Sequence, residues 1–213
     1  MKISKSLFCF AAALSVAWAA SAQAQYTDIT NPGDPIELVS GTNDGDASAG
    51  APPAKEGVEN AINNIGQKYL NFLDIESGFA VTPSGNPSKL PITAARFFTA
   101  NDAVERDPAS YEIFGSNNSL IGPWTLISAG PLSLPAERNA GGNAIPVHNE
   151  LVTFANSASF DHYKVRFPSL KNAAAANSMQ IAEVELLVVP EPTSATLGTL
   201  SLLALGALGR RKR

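Results

Sequence analysis

From residue 68 onward, short apolar runs alternate with polar turn segments, and almost no helical period is present. The runs lie at 69–73, 79–81, 92–98, 111–114, 124–127, 151–154, 163–167 and 179–189, with an earlier one at 36–39. Turn signals divide them: Pro83-Ser84-Gly85-Asn86-Pro87, Gly115-Ser116-Asn117-Asn118 and Gly141-Gly142-Asn143. Tyr163, Val165 and Phe167 alternate with Lys164 and Arg166, as Ala182, Val184 and Leu186 do with Glu183 and Glu185. Successive side chains on a strand point to opposite faces, so a period of two marks strands with one buried face. Short strands at this spacing, bounded by turn residues, predict an all-β sandwich. Residues 58–62 are expected to form one helical turn, and 171–177 a loop or short helix. Segments 26–35 and 41–57, rich in Gly, Pro, Asp, Ala and Ser, read as loops.

The two ends follow a different pattern. Lys2 and Lys5 precede an apolar stretch at 7–20, and Ala22-Gln23-Ala24 fits the small-x-small rule for cleavage before Gln25. Pro190, Glu191 and Pro192 precede an apolar run at 194–209, which ends in Arg210, Arg211, Lys212 and Arg213. A helix over 193–209 would rise roughly 25 Å, slightly short of the usual hydrocarbon thickness. The terminal cations are expected to stay cytoplasmic, with the preceding domain across the membrane. The expected division is a signal peptide at 1–24, a linker at 25–35, a sandwich at 36–188 and a membrane-inserting tail at 189–213. Membrane contact is expected only through the C-terminal helix, before processing. An ordinary C-terminal anchor is the alternative reading of the tail.

Composition narrows the chemistry. The single cysteine, Cys9, lies in the signal segment, so the mature chain has no disulfide framework and no thiolate nucleophile. The 165 residues from 25 to 189 suffice for one domain with a sizeable core. Within them nine Lys and Arg face 18 Asp and Glu, a balance of −9. Such a surface argues against binding nucleic acid or anionic lipid. No Gly-x-Ser-x-Gly elbow and no phosphate-cradling glycine loop is present. His148 and His162 show no zinc spacing, and His162 reads as an exposed edge residue. Trp124 and Tyr111 read as core or strand-face residues before sugar-stacking ones. The densest charge group is Asp102, Glu105, Arg106 and Asp107. Glu105, Arg106 and Asp107 are candidate ligand residues, able to hydrogen-bond sugar hydroxyls from a loop. The alternative has Arg106 paired with a neighbouring carboxylate and Asp107-Pro108 turning into the next strand. Glu137 and Arg138 read as a solvated pair.

The tail, with Pro190-Glu191-Pro192, the apolar run and the basic end in order, resembles the PEP-CTERM sorting signal. That resemblance implies signal peptidase and an exosortase as partners in a Gram-negative bacterium that makes exopolysaccharide. It further implies transient inner-membrane anchoring and release to the cell surface or extracellular matrix. The ordered segments Glu59 to Asn64, Lys68 to Phe72, Phe98 to Asp102, Glu105 to Asn117, Tyr163 to Phe167 and Met179 to Leu186 carry a second resemblance. They are similar to the galactose-binding-like jelly roll of discoidin (F5/8 type C) and related carbohydrate-binding modules, over 36–188. This implies a jelly-roll sandwich and a structural calcium held by Asn60, Asn63, Ala182 and Glu183. The chain departs where Asn63 replaces the expected aspartate and where Gln67-Lys68 replaces a threonine. Without calcium, Glu183 would face solvent beside Glu185 and Asn63 would cap a turn. Together the resemblances imply a non-catalytic surface or matrix protein that binds glycan. A structural protein without a small ligand, and a glycoside or ester hydrolase, remain as alternatives.

Overall fold

The computed structural model describes residues 25–40, 43–44, 52–72 and 76–190. The expected signal helix and tail helix lie outside these residues, and among the described residues no helix is long and apolar enough to cross a membrane.

The strands are β1 (Thr27–Asp28), β2 (Ile36–Ser40), β3 (Asn43–Asp44), β4 (Tyr69–Asn71), β5 (Ser77–Val81) and β6 (Ala94–Phe98). They continue with β7 (Ser110–Ser116), β8 (Thr125–Pro131), β9 (Asn149–Thr153), β10 (His162–Phe167), β11 (Met179–Ile181) and β12 (Glu183–Val188). A four-stranded sheet of order β1-β12-β6-β9 faces a six-stranded sheet of order β3-β2-β5-β10-β7-β8, and β4 pairs with β11 alone. All the pairings are antiparallel. Single 3-10 turns stand at Val58–Ile62 and Val104–Arg106. The architecture is the expected all-β sandwich.

The core lies between the sheets. Tyr163, Val165 and Phe167 face inward from β10, Tyr111 and Ile113 from β7, and Phe97, Val184 and Leu186 from the opposing sheet. The Phe97 ring lies 5.4 Å from that of Tyr111 and 6.2 Å, edge-on, from that of Phe167. Each such side chain adds about 1.5–3 kcal/mol by leaving water. On the outer face, the Lys164 ammonium sits 4.6 Å over Phe114 and 4.9 Å over Trp124. Trp124 therefore belongs to that outer face rather than the core, while Tyr111 is a core residue.

Three expectations change. β1 pairs with β12 and Ile29 is fully buried, so the sandwich includes residues expected as linker. The single run expected at 179–189 breaks at Ala182, whose N–H donates to the Phe98 carbonyl at 3.1 Å. Before the break the chain pairs with β4, and after it with β6. His162 is on the central strand β10 rather than an edge, its Nδ1 2.8 Å from Thr82 Oγ1.

Register fixes the two ends of the sandwich. Ile36, Val81, Tyr163 and Gly115 form one row, beside the loops 29–35, 82–93, 117–124 and 154–161. Thr27 and Val188 are partners, so the chain enters and leaves the sandwich at this terminal end. The opposite end carries the loops 52–68, 99–109, 132–148 and 168–178.

Candidate functional site

The charged loops expected to carry chemistry gather at the end away from the termini, around one buried carboxylate. Asp107 is fully buried. Arg138 donates to its two oxygens from Nη1 and Nη2 at 2.8 and 2.7 Å, and Lys171 Nζ donates at 3.0 Å. Arg138 also donates to the Pro135 carbonyl at 2.8 Å, and Lys171 to the Leu134 carbonyl at 2.7 Å. One carboxylate thus ties three loops together. Its partner is Arg138 rather than Arg106, and Arg138 is not a solvated partner of Glu137. With both oxygens engaged and no exposure, Asp107 braces the site and does not offer itself to a ligand.

The loop above it is held by its backbone. Gln180 Nε2 donates to the carbonyls of Asp102 and Ala103 at 2.5 and 3.0 Å, and the Asn172 N–H to the Glu105 carbonyl at 3.1 Å. Ala103 is held at φ +44, a left-handed conformation that costs an alanine of order 1 kcal/mol. Because the carbonyls take these bonds, side chains of this loop are left on the surface. Asn101, Asp102 and Val104 are exposed, and Glu105 and Arg106 half-buried.

Beside this loop lies a polar cleft of about 220 Å³ lined by Lys55, Glu56, Gln67, Lys68, Asn101 and the Gly141–Gly142 turn. The Lys68 ammonium stands 2.8 Å from both oxygens of Asp102 and 3.6 Å from Glu56. The far wall is fixed by Asn139, whose amide accepts from the Val147 and His148 N–H groups and donates to the Thr99 and His148 carbonyls. The Gly66 N–H donates to the Ala144 carbonyl at 2.6 Å, and a Cβ on Gly66 would overlap the Ala140 carbonyl. Only glycine lets the two walls approach this closely. The cleft therefore presents an ammonium, carboxylates and amides on braced backbone, a set suited to hydroxyl groups.

The calcium candidates also come together, with different neighbours from those expected. Glu183 is 1% exposed, not solvent-facing, because the 58–64 loop covers the start of β12. Its Oε2 accepts from the Asn64 N–H at 2.7 Å, while Oε1 is buried with no hydrogen-bond partner among the described residues. Burial pushes the Glu183 carboxyl up to about 9, against the Asn64 bond and with help from Asp28 and Glu185. Burial likewise raises Asp28 to about 6, opposed by its bonds from Thr30. Asn63 Oδ1 accepts from the Ile65 N–H at 3.1 Å, the turn cap foreseen for it, and Nδ2 donates to Asn60 Oδ1 at 3.1 Å. Asn60 Nδ2 donates to the Lys55 and Lys68 carbonyls. Ala182 joins the site through its place next to Glu183. No group of three or more His, Cys, Asp or Glu converges among the described residues.

Of the sorting residues, Pro190 is exposed at the last described position. Ala22, Ala24, Glu191, Pro192, Arg210, Arg211, Lys212 and Arg213 lie outside the described residues.

The sequence matches no family model and no curated protein. The fold is similar to that of the family 32 carbohydrate-binding module of C. perfringens NanJ, solved with galactose, at TM-score 0.51 and 15% identity over 77% of this chain and 100% of that one. It is similar too to the family 32 module of Streptococcus pneumoniae EndoD, at TM-score 0.50 and 11% identity over 77% and 100%. A third likeness is to the CBM32-1 and CBM32-2 domains of Clostridium perfringens ZmpB, solved with GalNAc, at TM-score 0.50 and 15% identity over 72% and 32%. The chain thus shares the β-sandwich fold of these modules.

Proposed function

We propose that this protein is an exported, non-catalytic glycan-binding protein, and that the cleft between the 66–68 and 139–144 loops takes a sugar unit. The observation that carries the reading is the Lys68 ammonium held between Asp102 and Glu56 in a cleft whose walls are already braced. Paired cations and carboxylates can serve the donor and acceptor sides of adjacent hydroxyls, and rigid walls avoid an ordering cost on binding. Glu105 and Arg106, half-buried in the loop that follows Asn101 and Asp102, are the further candidates for ligand contact. The family 32 modules solved with galactose and GalNAc share this sandwich, which supports the ligand class.

Isothermal titration with galactose, GalNAc and the producer's exopolysaccharide tests this. At least one is expected to bind. The double variant Asn101→Ala with Asp102→Ala is expected to weaken it at least tenfold, about 1.4 kcal/mol, with an unchanged fold by circular dichroism. No binding by any of the three, unaltered binding by the variant, or hydrolysis of the bound glycan would overturn the assignment.

The same reading includes calcium. The partnerless Glu183 oxygen, on a carboxylate bonded to the loop that carries the amide oxygens of Asn60, Asn63 and Gln67, suits a hard oxygen-seeking cation. Glu183, Asn60, Asn63 and the Ala182 carbonyl would hold it. Bound there, it would neutralise Glu183 and fasten the 58–67 loop to β12.

Sorting completes the proposal: export by the signal segment, anchoring by the tail, and exosortase cleavage near Pro190-Glu191-Pro192 that releases the domain to the surface or matrix. The mass of the protein recovered from culture is expected to correspond to a chain that begins at Gln25 and ends near Pro190. Glu191→Ala should retain the tail and its mass. A native chain that still carries either end would refute this part.

A further inference from the structure

The two ends of the sandwich differ sharply in charge. The loops at the cleft end carry Lys55, Glu56, Glu59, Lys68, Asp102, Glu105, Arg106, Asp107, Glu137, Arg138 and Lys171. Those at the terminal end carry Asp34, Lys89 and Asp161 alone. Asp34 is buried and accepts from the Asn31 and Ser84 N–H groups, and Lys89 pairs with Asp161 at 2.6 Å. The terminal end therefore shows almost no unpaired charge, in a domain whose overall balance is −9. The nearest further charges, Asp28, Glu37 and Lys164, stand one row in: Asp28 accepts from the Thr30 and Leu186 N–H groups, Lys164 is buried under Trp124, and Glu37 is exposed beside Leu120 and Ile121.

The same end presents apolar groups. Between β7 and β8 the chain runs Leu120-Ile121-Gly122-Pro123-Trp124, and Ile121 is 63% exposed. This tip is a fixed turn: the Gly122 N–H donates to the Ser119 carbonyl at 3.2 Å, and Ser119 Oγ to the Gly122 carbonyl at 3.1 Å. Val189, where the chain leaves, is 38% exposed. The apolar run 194–209 begins four residues beyond Pro190. Four residues reach at most about 14 Å.

We propose that the terminal end is the face this protein turns to the lipid surface while its tail is attached, with the 120–124 turn as the contact. This rests on the membrane-inserting tail of the reading above. The short tether brings this end, and no other, against the bilayer. An exposed isoleucine and a nearby tryptophan suit the headgroup boundary. Pairing or burial of Asp34, Lys89 and Asp161 lowers the repulsion from anionic lipid that the domain's overall charge would otherwise impose, and leaves the exposed Glu37 as the carboxylate nearest the turn among the described residues. The glycan cleft, at the opposite end, then points away from the membrane.

The test uses the full chain with Cys9→Ser, reconstituted in phosphatidylcholine–phosphatidylglycerol vesicles. Single cysteines at Ile121→Cys and, at the cleft end, Asn143→Cys carry a fluorescent label, quenched by nitroxide lipids. Both sites are exposed, so labelling leaves the core intact. The protein is expected to float with the vesicles, with quenching at 121 at least about threefold that at 143, as insertion to headgroup depth requires. Flotation with equal quenching at the two sites would overturn this inference and leave the tail reading standing. Leu203→Arg in the apolar run should abolish flotation. Flotation that survives it, or no flotation of the parent, would overturn the tail reading and this inference together.

Discussion

Asp107→Ala should lower the unfolding free energy by about 3 kcal/mol, the low end for breaking a buried ion pair, since its two cationic partners keep some contact with water. For a domain of this size that is a fall of roughly 6–12 °C in melting temperature. The loss is expected because the Arg138 guanidinium and the Lys171 ammonium would lose the carboxylate that joins the 99–109, 132–148 and 168–178 loops. Asp107→Asn keeps an acceptor oxygen and should lose less. Glycan affinity should fall in both variants, because the loop with Asn101 and Asp102 would no longer be held. Urea denaturation with fluorescence detection measures the first effect and titration the second. A loss below about 1 kcal/mol for Asp107→Ala would show that the loops hold themselves together without it.

The second large effect is a stability that declines as pH rises. Glu183 has a folded-state value of about 9 against an ordinary 4.5, so across that interval the folded protein keeps a proton that the unfolded chain gives up. Stability is then fully present below about 4.5 and is lost on the way to about 9, by up to roughly 1.4 kcal/mol per pH unit. Asp28, raised from 3.8 to about 6, adds to the decline at the acid end of the window. Glu185, raised by burial against the pull of Arg96, acts in the same direction. In a chelating buffer the melting temperature should therefore drop between pH 6 and pH 9. Glu183→Gln should flatten that part of the curve and leave the Asp28 part. Added calcium competes with the proton for the same carboxylate, so its stabilisation should grow with pH and vanish in Glu183→Gln. A level profile from pH 6 to 9 in the parent would dispose of the buried neutral acid. A calcium response that persists in the variant would place the ion elsewhere.

The strands were readable because each carries its own evidence: alternation in β10 and β12 reports a local period and needs no partner. Burial of Glu183 was not readable by that route. Alternation puts it on the outer face of β12, and only the 58–64 loop, more than a hundred residues earlier, turns that outer face into interior. The cleft was hidden for the same reason. Glu105, Arg106 and Asp107 marked the right loop as a charge cluster, but composition cannot say which of them is spent on the fold. Asp107 is spent on Arg138 and Lys171, 31 and 64 positions away, and Lys68 finds Asp102 across 34. The nearest thing to a local signal was Gly141-Gly142 after Asn139, a turn whose side-chain amide closes the far wall. Trp124 and Tyr111 read alike in the sequence, as core or strand-face aromatics, and only the fold separates them: Tyr111 is in the core, whereas the Trp124 ring lies under an ammonium on the outer sheet face.

Thr27 and Val188 are cross-strand neighbours, so the fold begins and ends at one spot. Such a body can be spliced into a loop of another polypeptide, or strung in series on one chain, with little distortion of the host. Duplication would then multiply weak sugar contacts into avidity without rebuilding a single binding site.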